Sequence, residues 1–235
     1  MVVFAALALL NPAFLTAASV GALIDGAALT GLVALGFGIT MLTRELDLPV
    51  GSTAALAGVI ALQLIGIGLV PALVLAVLAG VAVGLAHGAI VAVLGVNSLV
   101  LTVGTLIALR GLTYVVAGET TVVIPLSMLD LADVLAVKVG PLTLLSLIML
   151  AAFALVGTMM RWTRLGREIR AIGDARDEAR AAGVPVWRPL IVAFALTGGL
   201  AALAGTAMSV RSGSATPFGF EAVLLGAVTA ALIGG

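Results

Sequence analysis

The stretch Arg161-Trp-Thr-Arg-Leu-Gly-Arg-Glu-Ile-Arg-Ala-Ile-Gly-Asp-Ala-Arg-Asp-Glu-Ala-Arg-Ala-Ala-Gly-Val-Pro-Val-Trp-Arg188 holds seven of the eleven lysine and arginine residues in a chain of 235. The sequence on either side is apolar enough to lie in lipid. Positive charge close to membrane spans stays on the cytoplasmic face, so this stretch orients every span around it. It also carries local helix signals. Asp174 is placed to cap a helix start, with Asp177 at the third helical position and Glu178 one residue beyond. Ala175 to Ala182 favour helix apart from Asp177, and Gly183 followed by Pro185 reads as a stop. The pattern predicts a short helix over 174–182 within a cytoplasmic loop, 161–188, held against the inner membrane face where a soluble partner can push on it.

Composition gives the same class independently. Hydrophobic residues are 63% of the chain and charged ones 9%, outside the range of soluble domains. The fold class is therefore all-α: a polytopic integral membrane helical bundle, read as a single domain over 1–235. A formal net charge of zero argues against nucleic acid as a partner. Cysteine is absent and His87 is the single histidine, so neither a thiolate metal site nor a histidine-rich one is expected, and no cofactor is implied. Aromatics are only 4% against 29 glycines, a balance that favours close helix–helix contact.

A spanning helix needs about 20 apolar residues. The segments that qualify or come close are 2–10, 20–43, 50–66, 71–94, 99–117, 141–160, 190–210 and 221–234. Segment 2–10 is too short to span and the last stops at Gly234-Gly235, which reads as a chain shortened at both ends. Working outward from the arginine stretch, 141–160 runs inward and 190–210 runs outward. The loop 118–140, with Glu119, Asp130, Asp133 and Lys138, is then external. Residues 44–49 and the N-terminus fall inside, provided that 50–66 crosses fully; a broken helix there reverses the parity upstream of it. In 71–94, Gly80, Gly84 and Gly88 recur every four residues and leave one face bare, for helix packing or for a sliding contact.

Four stretches resemble the permease subunit of bacterial ATP-binding-cassette importers for ribose and related monosaccharides. The first is Gly36-Phe-Gly-Ile-Thr-Met-Leu-Thr-Arg-Glu-Leu-Asp-Leu-Pro-Val-Gly-Ser52, similar to a family pattern Gly-Ile-Asp-Leu-Ser-Val-Gly-Ser, with Glu45 and Pro49 as departures. The second is Asn97-Ser-Leu-Val-Leu-Thr-Val-Gly-Thr-Leu-Ile-Ala-Leu-Arg-Gly111. The third, Thr163 to Gly173 continuing to Gly183, matches most closely. The fourth is Leu225 to Gly235, where Gly226 stands in place of a usual acidic residue. The resemblance implies a ten-helix family of which seven or eight membrane segments are present here. It implies a multi-pass inner-membrane protein that forms the passage for a monosaccharide. The partners it implies are a second permease subunit, cytoplasmic ATP-binding subunits and a periplasmic sugar-binding protein, with lipid around the whole. ATP hydrolysis is expected on the separate subunits, because no G-x-x-x-x-G-K-[ST] phosphate loop occurs in this chain.

On that reading Asp174, Asp177, Glu178, Ala179 and Gly183 belong to the helix that couples to the ATPase; otherwise the loop only sets topology. Asp47, Ser52 and Thr53, at an interruption between apolar runs, are candidates to line the passage, the alternative being an interfacial loop whose charges face water. Thr102 and Thr105 share a helix face and are further candidates, against back-bonding to their own carbonyls. Arg110 reads as snorkelling to the outer interface, and His87 as an interhelical hydrogen-bonding residue. Two other classes remain open. An ion-coupled secondary transporter needs membrane-embedded carboxylates or broken-helix ion sites. An intramembrane enzyme needs a nucleophile with a base, for which only His87 is available. The sequence does not specify the sugar.

Overall fold

The computed structural model describes residues 15–218 and 220–234; the apolar segment 2–10 lies outside them. Among the described residues, five helices are long and apolar enough to cross a bilayer: α1 (Ala17–Met41), α3 (Leu69–Leu94), α4 (Ser98–Val116), α6 (Leu144–Trp162) and α9 (Trp187–Ser212). Side-chain caps fix several starts. Thr16 accepts from the Ser19 amide, Asn97 from the Leu99 and Val100 amides, and Thr143 from the Ser146 amide. Gly95 and Gly213, both in the left-handed region, close α3 and α9.

Between α4 and α6 lie the strands β1 (Val122–Val123), β2 (Lys138–Val139) and β3 (Leu142–Thr143), with the single turn α5 (Asp130–Asp133). β2 and β3 form a hairpin, while β1 pairs antiparallel with β4 (Ser214–Ala215), just beyond α9. This pairing gathers 118–143 and the end of α9 at one end of the bundle. The arginine stretch lies at the other end, separated by the length of α6. There the chain forms α7 (Arg164–Asp174) and α8 (Arg176–Ala181) before entering α9.

That pair corrects the sequence reading in two ways. The helix expected over 174–182 is shorter, and Asp174 does not cap it: Asp174 is the last residue of α7, and extended Ala175 precedes α8 without a side-chain cap. The helix α7 itself was not anticipated. Gly166 and Gly173 look like breaks in sequence, but each sits where backbone presses on backbone. A Cβ on Gly166 would lie 2.6 Å from the Met160 carbonyl carbon, and one on Gly173 would lie 3.0 Å from that of Leu42. Gly183, with φ of 83°, ends α8 as read from the sequence, its amide donating to the Arg180 carbonyl.

At the centre stands α9, lined with Ala193, Gly198, Ala201, Ala202, Ala204 and Gly205. Its small residues admit three neighbours. On the α3 side, a Cβ on Gly80 would come within 2.6 Å of the Gly198 carbonyl oxygen, and one on Gly88 within 2.7 Å of Ile191 Cα; Gly84 lies equally close against Phe194. On the α1 side, Gly36 lies under Thr197, whose hydroxyl donates to the Gly36 carbonyl at 2.6 Å. The third neighbour is α2 (Val50–Gln63), at Ala54 and Gly58.

At 14 residues, α2 is about 21 Å long and cannot cross a hydrocarbon core of about 30 Å. Residues 42–49 make up the difference by turning back from the inner end of α1 into the bundle. The outer end of α2 reaches the level of Val116, whose carbonyl accepts from Gln63 at 2.5 Å. The unit enters from the end of the bundle that carries the arginine stretch and leaves towards the end that carries 118–143, although the helix is short. A second short helix, α10 (Glu221–Gly234), follows β4 and packs along α1.

Candidate functional site

Polar side chains inside the bundle converge on the turned-back segment 42–49. Arg44 takes the left-handed conformation, φ 60°, which redirects the chain after α1. From the arginine stretch, Arg176 at the start of α8 donates at 2.8 Å both to the Thr43 carbonyl and to Glu45 Oε1. From α4, the Ser98 hydroxyl accepts from the Leu46 amide at 3.4 Å, and Thr102 Oγ1 donates to the Leu46 carbonyl at 3.3 Å. From α3, His87 Nδ1 lies 3.3 Å from Asp47 Oδ1. Neither of these two atoms has a hydrogen-bonding partner among the described residues. The His87 ring stands edge-on to Phe194 of α9, with centroids 6.5 Å apart. Irregular backbone at this depth is tolerated because protein encloses it.

The sequence-predicted residues divide accordingly. Asp47 and Thr102 come together at segment 42–49, Ser52 bonds to α4 further along, and Thr53 is buried in the first turn of α2. Asp47 is 2% exposed and Thr102 is fully buried. These two therefore tie segment 42–49 to its neighbours and line no open passage in this structure, contrary to the sequence reading. Water-facing charges at an interface are equally excluded for Asp47. Thr105 back-bonds to the Thr102 carbonyl at 3.3 Å. Ser52 borders a small cavity and donates at 3.2 Å to the Leu106 carbonyl.

In α8, Asp177 and Glu178 are exposed, as is Asp174 just before it, and Asp177 lies 3.4 Å from Arg180. Ala179 is buried against Ile172 of α7 and Leu190 of α9. An acidic face thus points outward from a helix whose other face is anchored in the bundle.

Two groups escaped the sequence reading. Glu45 with Arg176 joins segments 131 residues apart, a separation that leaves no local signal. At the outer end, Asp25 of α1 pairs with Arg211 of α9 at 2.7 Å and accepts from Thr143 and Ser146. These groups border a cavity of about 540 Å³ that also takes in Lys138. No cluster of metal-ligating side chains forms among the described residues.

Residues 13–235 match the family described as branched-chain amino acid transport system / permease component. The chain belongs to this permease family. It is similar to the autoinducer 2 import system permease protein LsrC of Enterobacter sp. (strain 638), 32% identical over 246 residues that span all of this chain and 68% of that protein. It is 31% identical to the ribose import permease protein RbsC of Bacillus subtilis, over 97% of this chain and 71% of the relative. With RbsC of Escherichia coli K12 the identity is 30%, over the whole chain and 74% of the relative. No solved structure matches. The permease is an all-helical, multi-pass protein of the inner membrane.

Proposed function

We propose that this permease is the membrane-spanning subunit of an ATP-driven importer and forms the passage for an uncharged, polyhydroxylated solute of the monosaccharide class. The observation that carries the reading is its likeness along the whole chain to ribose and autoinducer 2 import permeases. The site supports the coupling half of the proposal. An ATPase closing on ATP needs a lever on the permease that moves without unfolding the spans. Helix α8 suits this: Asp174, Asp177 and Glu178 face outward, Ala179 anchors the inner face, and Gly183 frees the exit.

Displacement of α8 reaches the spans through Arg176, which grips Glu45 and the Thr43 carbonyl. Segment 42–49 passes the motion to α4 through Leu46 and to α3 through Asp47 and His87. The partners in this scheme are cytoplasmic ATP-binding subunits, an external binding protein docking at 118–140 and a second permease subunit.

The test is uptake of D-ribose, D-xylose and autoinducer 2 into cells expressing the permease together with an ATP-binding subunit and a sugar-binding protein from its own source. Uptake of one of them that is abolished by an ATPase-inactivating substitution and unaffected by a protonophore is the expected result. One observation favours a second reading: Asp47 with His87 is a buried acid–histidine pair of the kind an ion-coupled carrier uses. Protonophore-sensitive uptake that survives ATPase inactivation would select that reading and remove the first.

A further inference from the structure

The connection between α9 and α10 repeats that between α1 and α2 with inverted orientation. α1 descends to the inner end, the chain turns back at 42–49, and α2 begins within the bundle. α9 rises to the outer end, the chain turns back after Gly213, and α10 begins within the bundle. The two short helices share a sequence as well. Pro49-Val-Gly-Ser-Thr-Ala-Ala-Leu-Ala-Gly58 and Pro217-Phe-Gly-Phe-Glu-Ala-Val-Leu-Leu-Gly226 carry proline, glycine, alanine, leucine and glycine at the same five positions. They meet near the middle of the bundle, where a Cβ on Gly51 would stand 3.2 Å from the Phe220 carbonyl oxygen and 3.5 Å from Leu224 Cβ.

Beside that meeting point the chain places an unusual set of side chains. Arg110 of α4 has its guanidinium carbon 5.9 Å from the centre of the Phe218 ring. Tyr114, one turn further along α4, has its ring centroid 6.0 Å from that of Phe218. Ser52, at the start of α2, borders the same small cavity as Arg110 and Phe218. Arg110 lies six residues, roughly 9 Å, below the outer end of α4, with its guanidinium turned towards Phe218. The chain has one tyrosine and seven phenylalanines. Both rings are partly open beside that cavity, Phe218 at 52% and Tyr114 at 37% exposed.

We propose that Ser52, Arg110, Tyr114 and Phe218 form an outer constriction of the translocation passage that contacts an uncharged, polyhydroxylated ring. The proposal rests on the importer reading given above. A monosaccharide offers an apolar C–H face and a rim of hydroxyls. Phe218 and Tyr114 supply flat apolar surface for the first, while Arg110 donors and the Ser52 hydroxyl meet the second. Few polar groups in a largely apolar wall give orientation without tight retention, which a passage needs. Transporters elsewhere build such contacts where discontinuous helices meet near the bilayer middle. The cavity here is about 20 Å³, too small for any sugar, so the constriction is closed in this structure. It opens when the starts of α2 and α10 part.

The absence of cysteine allows a direct test. F218C, S52C and, as a lipid-facing control, L155C on α6 are assembled with the ATPase and binding protein in proteoliposomes. Each is exposed to a charged, membrane-impermeant thiol reagent during ATP turnover, with and without D-ribose or D-xylose. F218C and S52C are expected to react at least tenfold faster than L155C and to be slowed by the transported sugar. In transport assays F218A is expected to raise KM about tenfold, while F218W stays within twofold of the unmodified permease. Labelling of F218C as slow as L155C, or unchanged KM in both F218A and R110K, in an importer that carries sugar overturns the constriction alone. Fast labelling in an importer that carries neither sugar overturns the sugar reading, and with it the ligand assigned here.

Discussion

His87 and Asp47 show how one side chain can decide the state of another. Their contact was not legible in sequence: each residue has an ordinary local explanation, and only the fold brings them within 3.3 Å. Replacing His87 with alanine takes away the nearest polar neighbour of the buried Asp47 carboxyl, a change that costs about 1–3 kcal/mol. A fall of several degrees in the detergent melting temperature of H87A is expected. The double variant H87A/D47L, which removes both polar groups, should recover most of the loss; equal melting of the single variant and the unmodified permease would show that the pair is not coupled. At Arg176 the expectation differs, because its side chain is partly exposed. R176A should reduce stability by about 1–3 kcal/mol through the exposed-end loss and the stranded Glu45, yet reduce transport far more strongly, since Arg176 is the grip of α8 on segment 42–49. Transport that falls no further than stability would place Arg176 outside the coupling route.

Among the elements, the spans were legible because lipid imposes a long apolar run on every crossing, and 20–43, 71–94, 99–117, 141–160 and 190–210 became α1, α3, α4, α6 and α9 with small shifts at their ends. Helix α7 was hidden because its glycines mark tight backbone contacts rather than breaks. The repeat shared by α2 and α10 was present in the letters, and it became meaningful once both helices proved too short to cross. Two predictions belong here. A179P removes the hydrogen bond from the Ala179 amide to the Ala175 carbonyl and costs roughly 3 kcal/mol within α8. Membrane insertion should survive while ATPase association, measured by co-purification, and transport are lost; E119Q, at the opposite end, should leave association intact. A179P permeases that bind the ATPase and transport normally would reduce α8 to a topological anchor. G84L forces a side chain into the Phe194 backbone and should destabilise the permease by about 1–3 kcal/mol, read as a lower melting temperature.

For the whole molecule, the arginine stretch predicts sidedness: in sealed cells, E119C should react with an impermeant thiol reagent from outside and D177C only after permeabilisation. The reverse pattern would invert the topology. The turned-back segment 42–49 also has a consequence for synthesis at the ribosome. When α1 and α2 emerge, Arg44, Glu45 and Asp47 must enter an apolar environment before His87 has been translated and long before Arg176 has. α2 is too short to be held by lipid alone, and its seat on Ala54 and Gly58 is provided by α9 from the far end of the chain. The nascent protein therefore cannot mature span by span. Its first half waits, loosely inserted and dependent on the insertion machinery for shelter, until α9 arrives and locks it. Truncation before α9 should yield a product that is inserted but rapidly degraded, because the centre of the bundle is made after the helices it holds.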